Sequence, residues 1–278
     1  MSILTSFFNI LLISLLELAY LFGVIILVGL ILGVLERYSN SFLYRAFGAK
    51  GVLATAWIGV PIHEIGHLLQ CFLWGHKVTQ VKLLQLNSPD GMLGFVRHQY
   101  NPNSMYQQAG NFFIGLGPIF SGIGSLLLGM YLLVPQSFAT LDSFIAQHIT
   151  FEKVDLHLLL TVWEVVVVFS KNLFTLENLL NPLFWVYFVL AICISSHIAL
   201  SWADIKGSAR GLGMIFFLLV LWNLTAGIFG FDTYRAVTKL AEYNAYVLAF
   251  SSIALTFSLL TWVISYLLYQ VNIRLANR

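Results

Sequence analysis

Residues 51–74 read GVLATAWIGVPIHEIGHLLQCFLW. At about 1.5 Å per residue, a helix of this length crosses the roughly 30 Å hydrocarbon core of a bilayer. Within it, however, His63, Glu64 and His67 put three ionisable side chains into five consecutive positions. Each costs about 2.5 kcal/mol or more at the centre of a membrane helix, so the cluster needs compensation from elsewhere. The stretch reads as a membrane helix with a buried polar site.

The rest of the chain supports that solvent. Of its 278 residues, 59% are hydrophobic and only 9% are charged, against about a quarter charged in soluble domains. Such a chain cannot cover a water-facing surface with polar groups. The formal net charge of +2 and the scattered basic residues argue against nucleic acid as a partner. Cys71 and Cys193 both fall in apolar runs and suggest no disulfide framework.

Five more apolar stretches are long enough to span, at 5–34, 110–134, 182–204, 211–230 and 244–270. The expected fold is therefore an all-α membrane protein of about six transmembrane helices, forming a single polytopic domain over 1–278. Pro182 after Asn181 marks a helix start. Residues 154–170 are apolar but short and contain Glu164, so they read as a helical excursion at one face rather than a seventh span. The run near the N-terminus is too long for a signal-peptide core of about 7–15 residues, and it is expected to stay in the mature protein. With six spans, the ends of the second and fourth stretches reach one face. Lys and Arg divide evenly between the faces. Discounting the long 135–181 connection leaves a lean toward that face being cytoplasmic, in a cell membrane. Between the second and third spans, His76–Leu86 and Met92–Gln99 are strand-like runs joined by Asn87-Ser88-Pro89-Asp90-Gly91, a small membrane-associated β-hairpin.

His63 and His67, four residues apart, lie one above the other on a helix face and can point at one ion. Glu64 is placed as the general base for a water activated by that ion. The spacing predicts a Zn2+ site used for hydrolysis. A catalytic zinc takes three protein ligands, so one more must come from elsewhere. Asp204, at the end of the fourth stretch, is the first candidate. His197, two helical turns earlier, is the second, and would otherwise contact substrate or transition state. Asp90 looks more like a turn residue. If the fourth stretch is one helix, Asp204 sits about 10 Å below His67. Asn111 reads as a helix cap or a residue facing the site, Glu17 as a structural hydrogen-bonding group, and His76, His98, His148 and His157 as loop or surface histidines.

With His63-Glu64-Ile65-Gly66-His67 as its most specific part, the chain over about 50–207 resembles the site-2 protease family of intramembrane zinc metalloproteases. Gly75-His76-Lys77-Val78 is similar to the family's exit from the motif helix into strands. Gly115-Leu116-Gly117-Pro118-Ile119-Phe120-Ser121 looks like its Ala-Gly-Pro-x-x-Asn segment, with Ser121 in place of Asn. The resemblance implies a catalytic core at 50–207, with Asp204 standing where a later helix of the family supplies the third ligand. Here Asp204 is flanked by Ala203 and Ile205 rather than Leu and Gly. It also implies a membrane protein or peptide substrate, bound as an added strand on the hairpin. Two other classes use the same cluster differently: a non-proteolytic adaptor that binds membrane helices, and a metal transporter. The intact Glu64 argues against the first, and the confinement of polarity to two stretches argues against the second.

Overall fold

The computed structural model describes residues 3–86, 91–149 and 156–276. Residues 87–90, which include Asp90 and most of the expected hairpin turn, lie outside the described residues. Among the described residues the order is α1 (Ile3–Phe47), α2 (Ala49–Leu73), β1 (Lys77–Lys82), β2 (Phe95–Gln99), α3 (Met105–Leu133), α4 (Pro135–His148), α5 (Leu156–Leu173), α6 (Leu176–Leu180), α7 (Pro182–Ser195), α8 (Trp202–Phe229), α9 (Thr233–Ala241) and α10 (Asn244–Ala276).

Among the described residues, five helical stretches are long and apolar enough to cross a membrane: Thr5–Phe47, Ala49–Leu73, Met105–Leu133, Trp202–Phe229 and Thr233–Leu275. The first extends beyond the expected 5–34, because nothing breaks the helix until Gly48, whose φ of 64° turns the chain into α2. Pro182 opens α7 as expected, with the Asn181 side chain accepting the Leu183 N–H.

The expected single helix over 182–204 is not formed. α7 has only 14 residues, residues 196–201 are irregular, and Asp204 lies in the first turn of α8. Two causes are visible. Ser195 and Ser196 both donate their hydroxyls back to the Ile192 carbonyl, at 3.2 and 2.7 Å, a local competition that favours helix ends. Ser201 and Asp204 then start a new helix with a reciprocal capping box. Irregular backbone at this depth in an apolar protein requires internal partners, and Ser195, Ser196, His197, Ile198 and Ala199 are all buried.

The helices pack as α1 along α10, α2 along α3, and α3 along α8. The larger core joins Leu32 of α1, Met130 of α3, Tyr187 of α7 and Phe257 of α10, all nearly inaccessible. α5 joins this core through Phe169, which meets the Phe257 ring edge-on at 5.8 Å. A polar clasp ties α8 to α1. Asn223 donates to Glu17 at 2.6 Å and to Ser14 at 3.0 Å, and accepts from Thr233. Glu17 thus has the structural bond expected of it.

The hairpin is present: β1 and β2 pair antiparallel from Lys77 opposite Gln99 to Lys82 opposite Phe95, with an irregularity between Val78 and Gln80. Gly75, at φ 66°, makes the turn from α2 into β1.

Candidate metal centre

The site depends on how closely three helices approach. A Cβ on Gly66 of α2 would overlap the backbone of Gly117 in α3, and one on Gly117 would overlap the Gly66 backbone. Two residues along α3, a Cβ on Gly115 would collide with Ser208 and with the Asp204 carbonyl of α8. Small residues permit such approach where larger side chains would hold helices about 8–10 Å apart. Ser121 fastens the first contact by donating to the Ile62 carbonyl at 2.8 Å. α3 therefore holds the histidines of α2 and the carboxylate of α8 together.

His67 Nε2 lies 3.1 Å from Asp204 Oδ1, and His63 Nε2 lies 3.6 Å from Asp204 Oδ2. The two Nε2 atoms are 3.2 Å apart. His63, His67 and Asp204 form a group that could hold a metal ion, with one ligand atom from each within 4.8 Å of the others. Two imidazole nitrogens and a carboxylate make up a donor set that suits zinc.

The outer nitrogens fix the tautomers. His67 Nδ1 is 2.8 Å from the Ile114 carbonyl, and His63 Nδ1 is 2.9 Å from the His197 carbonyl. A carbonyl only accepts, so each Nδ1 carries a proton and donates. In the neutral rings each Nε2 is then a bare lone pair facing the other and the carboxylate. These lone pairs repel one another, and either a proton on one Nε2, donated to the carboxylate, or a metal ion shared by all three would relieve the repulsion.

Asp204 has two tasks. Besides facing both histidines, its Oδ2 accepts the Ser201 N–H at 2.7 Å while its own N–H bonds Ser201 Oγ at 3.2 Å. Starting α8 at Trp202 also removes the expected height difference from His67, since that difference assumed one continuous helix.

His197 enters the site through its main chain. Its ring Nε2 is 2.9 Å from Thr55 Oγ1, and the ring packs on Gly59, while its carbonyl orients His63. The ring lines the cavity without belonging to the three-residue group.

That cavity, of about 550 Å³, is lined by His63, Glu64, His67 and Asp204 and by Met92–Val96, which lead into β2. Glu64 is buried, and Gly94 lies against it: a Cβ there would come 3.0 Å from Glu64 Oε1. Asn111 also lines the cavity. It is internal to α3, whose cap is Ser104, so the capping role considered for it does not apply.

Two residues of α1 were not anticipated. Glu36 accepts the Ala199 N–H at 2.8 Å, and Asn40 donates to the Ser196 carbonyl at 3.4 Å. Both brace the irregular 196–201 segment on either side of the His197 carbonyl. The available signal was Glu36 itself, an acidic residue next to an apolar run. A second cavity of about 470 Å³ between α1 and α8 shares Glu36, Asn40 and Ser201 with the first.

The chain matches no protein-family model, no curated protein and no solved structure.

Proposed function

We propose that the chain is an intramembrane zinc metalloprotease of the site-2 protease kind, cutting peptide bonds in membrane-spanning or membrane-adjacent substrates. The observation that carries this reading is the convergence of His63 and His67, each with Nδ1 committed to a carbonyl, on the Asp204 carboxylate beside Glu64. Zinc is the ion of choice for two imidazoles and a carboxylate in four-coordinate geometry, with room for one further ligand. Bound there, it would polarise a substrate carbonyl and make water acidic enough to be deprotonated near neutral pH.

The chain's own groups supply the rest. Glu64, one residue along the helix from His63, takes a proton from the attacking water as its oxygen adds to the carbonyl carbon. As the C–N bond breaks, Glu64 returns that proton to the leaving amine. Among the described residues β2 pairs only with β1, and its outer edge offers backbone groups to a substrate segment that has lost its helical hydrogen bonds. The cavity between α1 and α8 suits entry of an apolar segment from the lipid side. The proposal places the protein in a cell membrane, with the site toward the cytoplasmic face.

The test is cleavage of a reconstituted transmembrane peptide by zinc-loaded wild type and by Glu64→Gln. Wild-type cleavage abolished by Glu64→Gln at unchanged zinc content supports the enzyme. Equal cleavage by both, or none by a zinc-loaded wild type, contradicts it.

A further inference from the structure

The histidines of the hairpin region do not stand free at the surface. His76, between α2 and β1, places Nε2 2.8 Å from the Gln107 carbonyl of α3 and Nδ1 2.9 Å from His98 Nδ1. Its ring also stacks on Tyr100, with centroids 5.1 Å apart. His98, on β2, lines the same cavity as His63, Glu64 and His67.

Proton placement follows link by link. The Gln107 carbonyl only accepts, so His76 carries its proton on Nε2 and leaves Nδ1 bare. The contact between the two Nδ1 atoms then needs a proton from His98, which must carry it on Nδ1. In the neutral ring His98 Nε2 is consequently a bare acceptor, with no hydrogen-bond partner among the described residues. Both rings are held neutral near pH 7. Burial and the nearby His76 and His67 rings push His98 down to about 4, and burial lowers His76 against the opposing pull of the Gln107 carbonyl.

We propose that His98 Nε2 is a hydrogen-bond acceptor for a peptide N–H of the segment bound in the metal cavity, with His76 and the Gln107 carbonyl fixing its tautomer. This rests on the cavity being a peptide site, and it adds a contact from the hairpin within the cavity that His63, His67 and Asp204 also line. A peptide strand laid along β2 presents N–H groups at regular intervals, and an acceptor at one fixed place in the cavity sets its register. His98 is a substrate-contacting residue, and His76 is a positioning residue acting through it.

Two measurements test this. Ring 15N spectra of histidine-labelled, zinc-loaded protein distinguish bare from protonated nitrogens, and His98 is expected to show a bare Nε2 and a protonated Nδ1. A protonated Nε2 overturns the proposal. The second measurement is the affinity of zinc-loaded Glu64→Gln protein for a reconstituted transmembrane peptide. Adding His98→Ala should weaken binding about tenfold, the loss of about one hydrogen bond. His98→Gln, which keeps an acceptor, should recover most of it, with zinc content unchanged throughout. Equal affinity in all three proteins, or no peptide binding by the Glu64→Gln parent, overturns the proposal. Wild-type cleavage judges the protease reading separately.

Discussion

Gly66 of α2 and Gly117 of α3 meet backbone to backbone, so closely that a methyl group on either would overlap main-chain atoms of the other. Gly66 lies between the two histidines that face Asp204. The contact that packs the helices therefore also sets the height and rotation of the metal group. Gly117→Ala should cost about 1–3 kcal/mol, the usual penalty for overpacking a filled interior, and should weaken metal binding as well. Gly124→Ala on the same helix, where a Cβ meets nothing within 4 Å, should leave both unchanged. Denaturant unfolding in micelles with zinc titration compares the two; similar values would show that the close approach is not needed.

Glu36 supports the site from a distance. Its carboxylate accepts the Ala199 N–H, two residues from the carbonyl that orients His63. Groups that orient a ligand from behind typically contribute about 10–100-fold in metal affinity. Glu36→Ala should weaken zinc binding by about tenfold, and Glu36→Gln, which keeps an oxygen acceptor, by less. Chelator competition reads both, and an unaltered affinity in Glu36→Ala would show that Glu36 does not help to orient His63.

The hairpin should loosen in mild acid. The His98 pKa lies at about 4 in the folded chain, below the ordinary 6.5, so the unfolded hairpin binds the proton more readily. The resulting stabilisation is complete above about pH 6.5 and is lost as the pH falls toward 4. The groups around His98 are His76, whose pKa is lowered too, and His67 of α2. Hydrogen exchange at 77–82 and 95–99, corrected for intrinsic rates, should quicken through that window. In His98→Gln the effect should shrink to the His76 part; an undiminished response would assign it elsewhere.

Much of this architecture is legible in the residues because hydropathy and turn chemistry act locally. The apolar runs mark α2, α3, α8 and α10, and the strand-like runs around Pro89 mark the hairpin. His63, Glu64 and His67 are recognisable from spacing alone, because i and i+4 share a helix face. The break between α7 and α8 is hidden, because residues 182–204 are nearly uniformly apolar and the signals are only a few serines. Because of that hidden break, the expected helix over 182–204 ends at Asp204, whereas Asp204 stands in the first turn of α8 and still faces His63 and His67. The task of His197 is invisible for another reason: its carbonyl, common to every residue, orients His63. Glu36, Gly94 and His98 act through partners far away in sequence, and single-residue chemistry does not reveal such pairings.

The zinc content of purified wild type, Asp204→Ala and His197→Ala probes the metal centre without passing through catalysis. One bound zinc in wild type, lost in Asp204→Ala and retained in His197→Ala, is the predicted result. A wild type that binds no divalent ion, or zinc that survives Asp204→Ala and is lost in His197→Ala, would contradict the site as described.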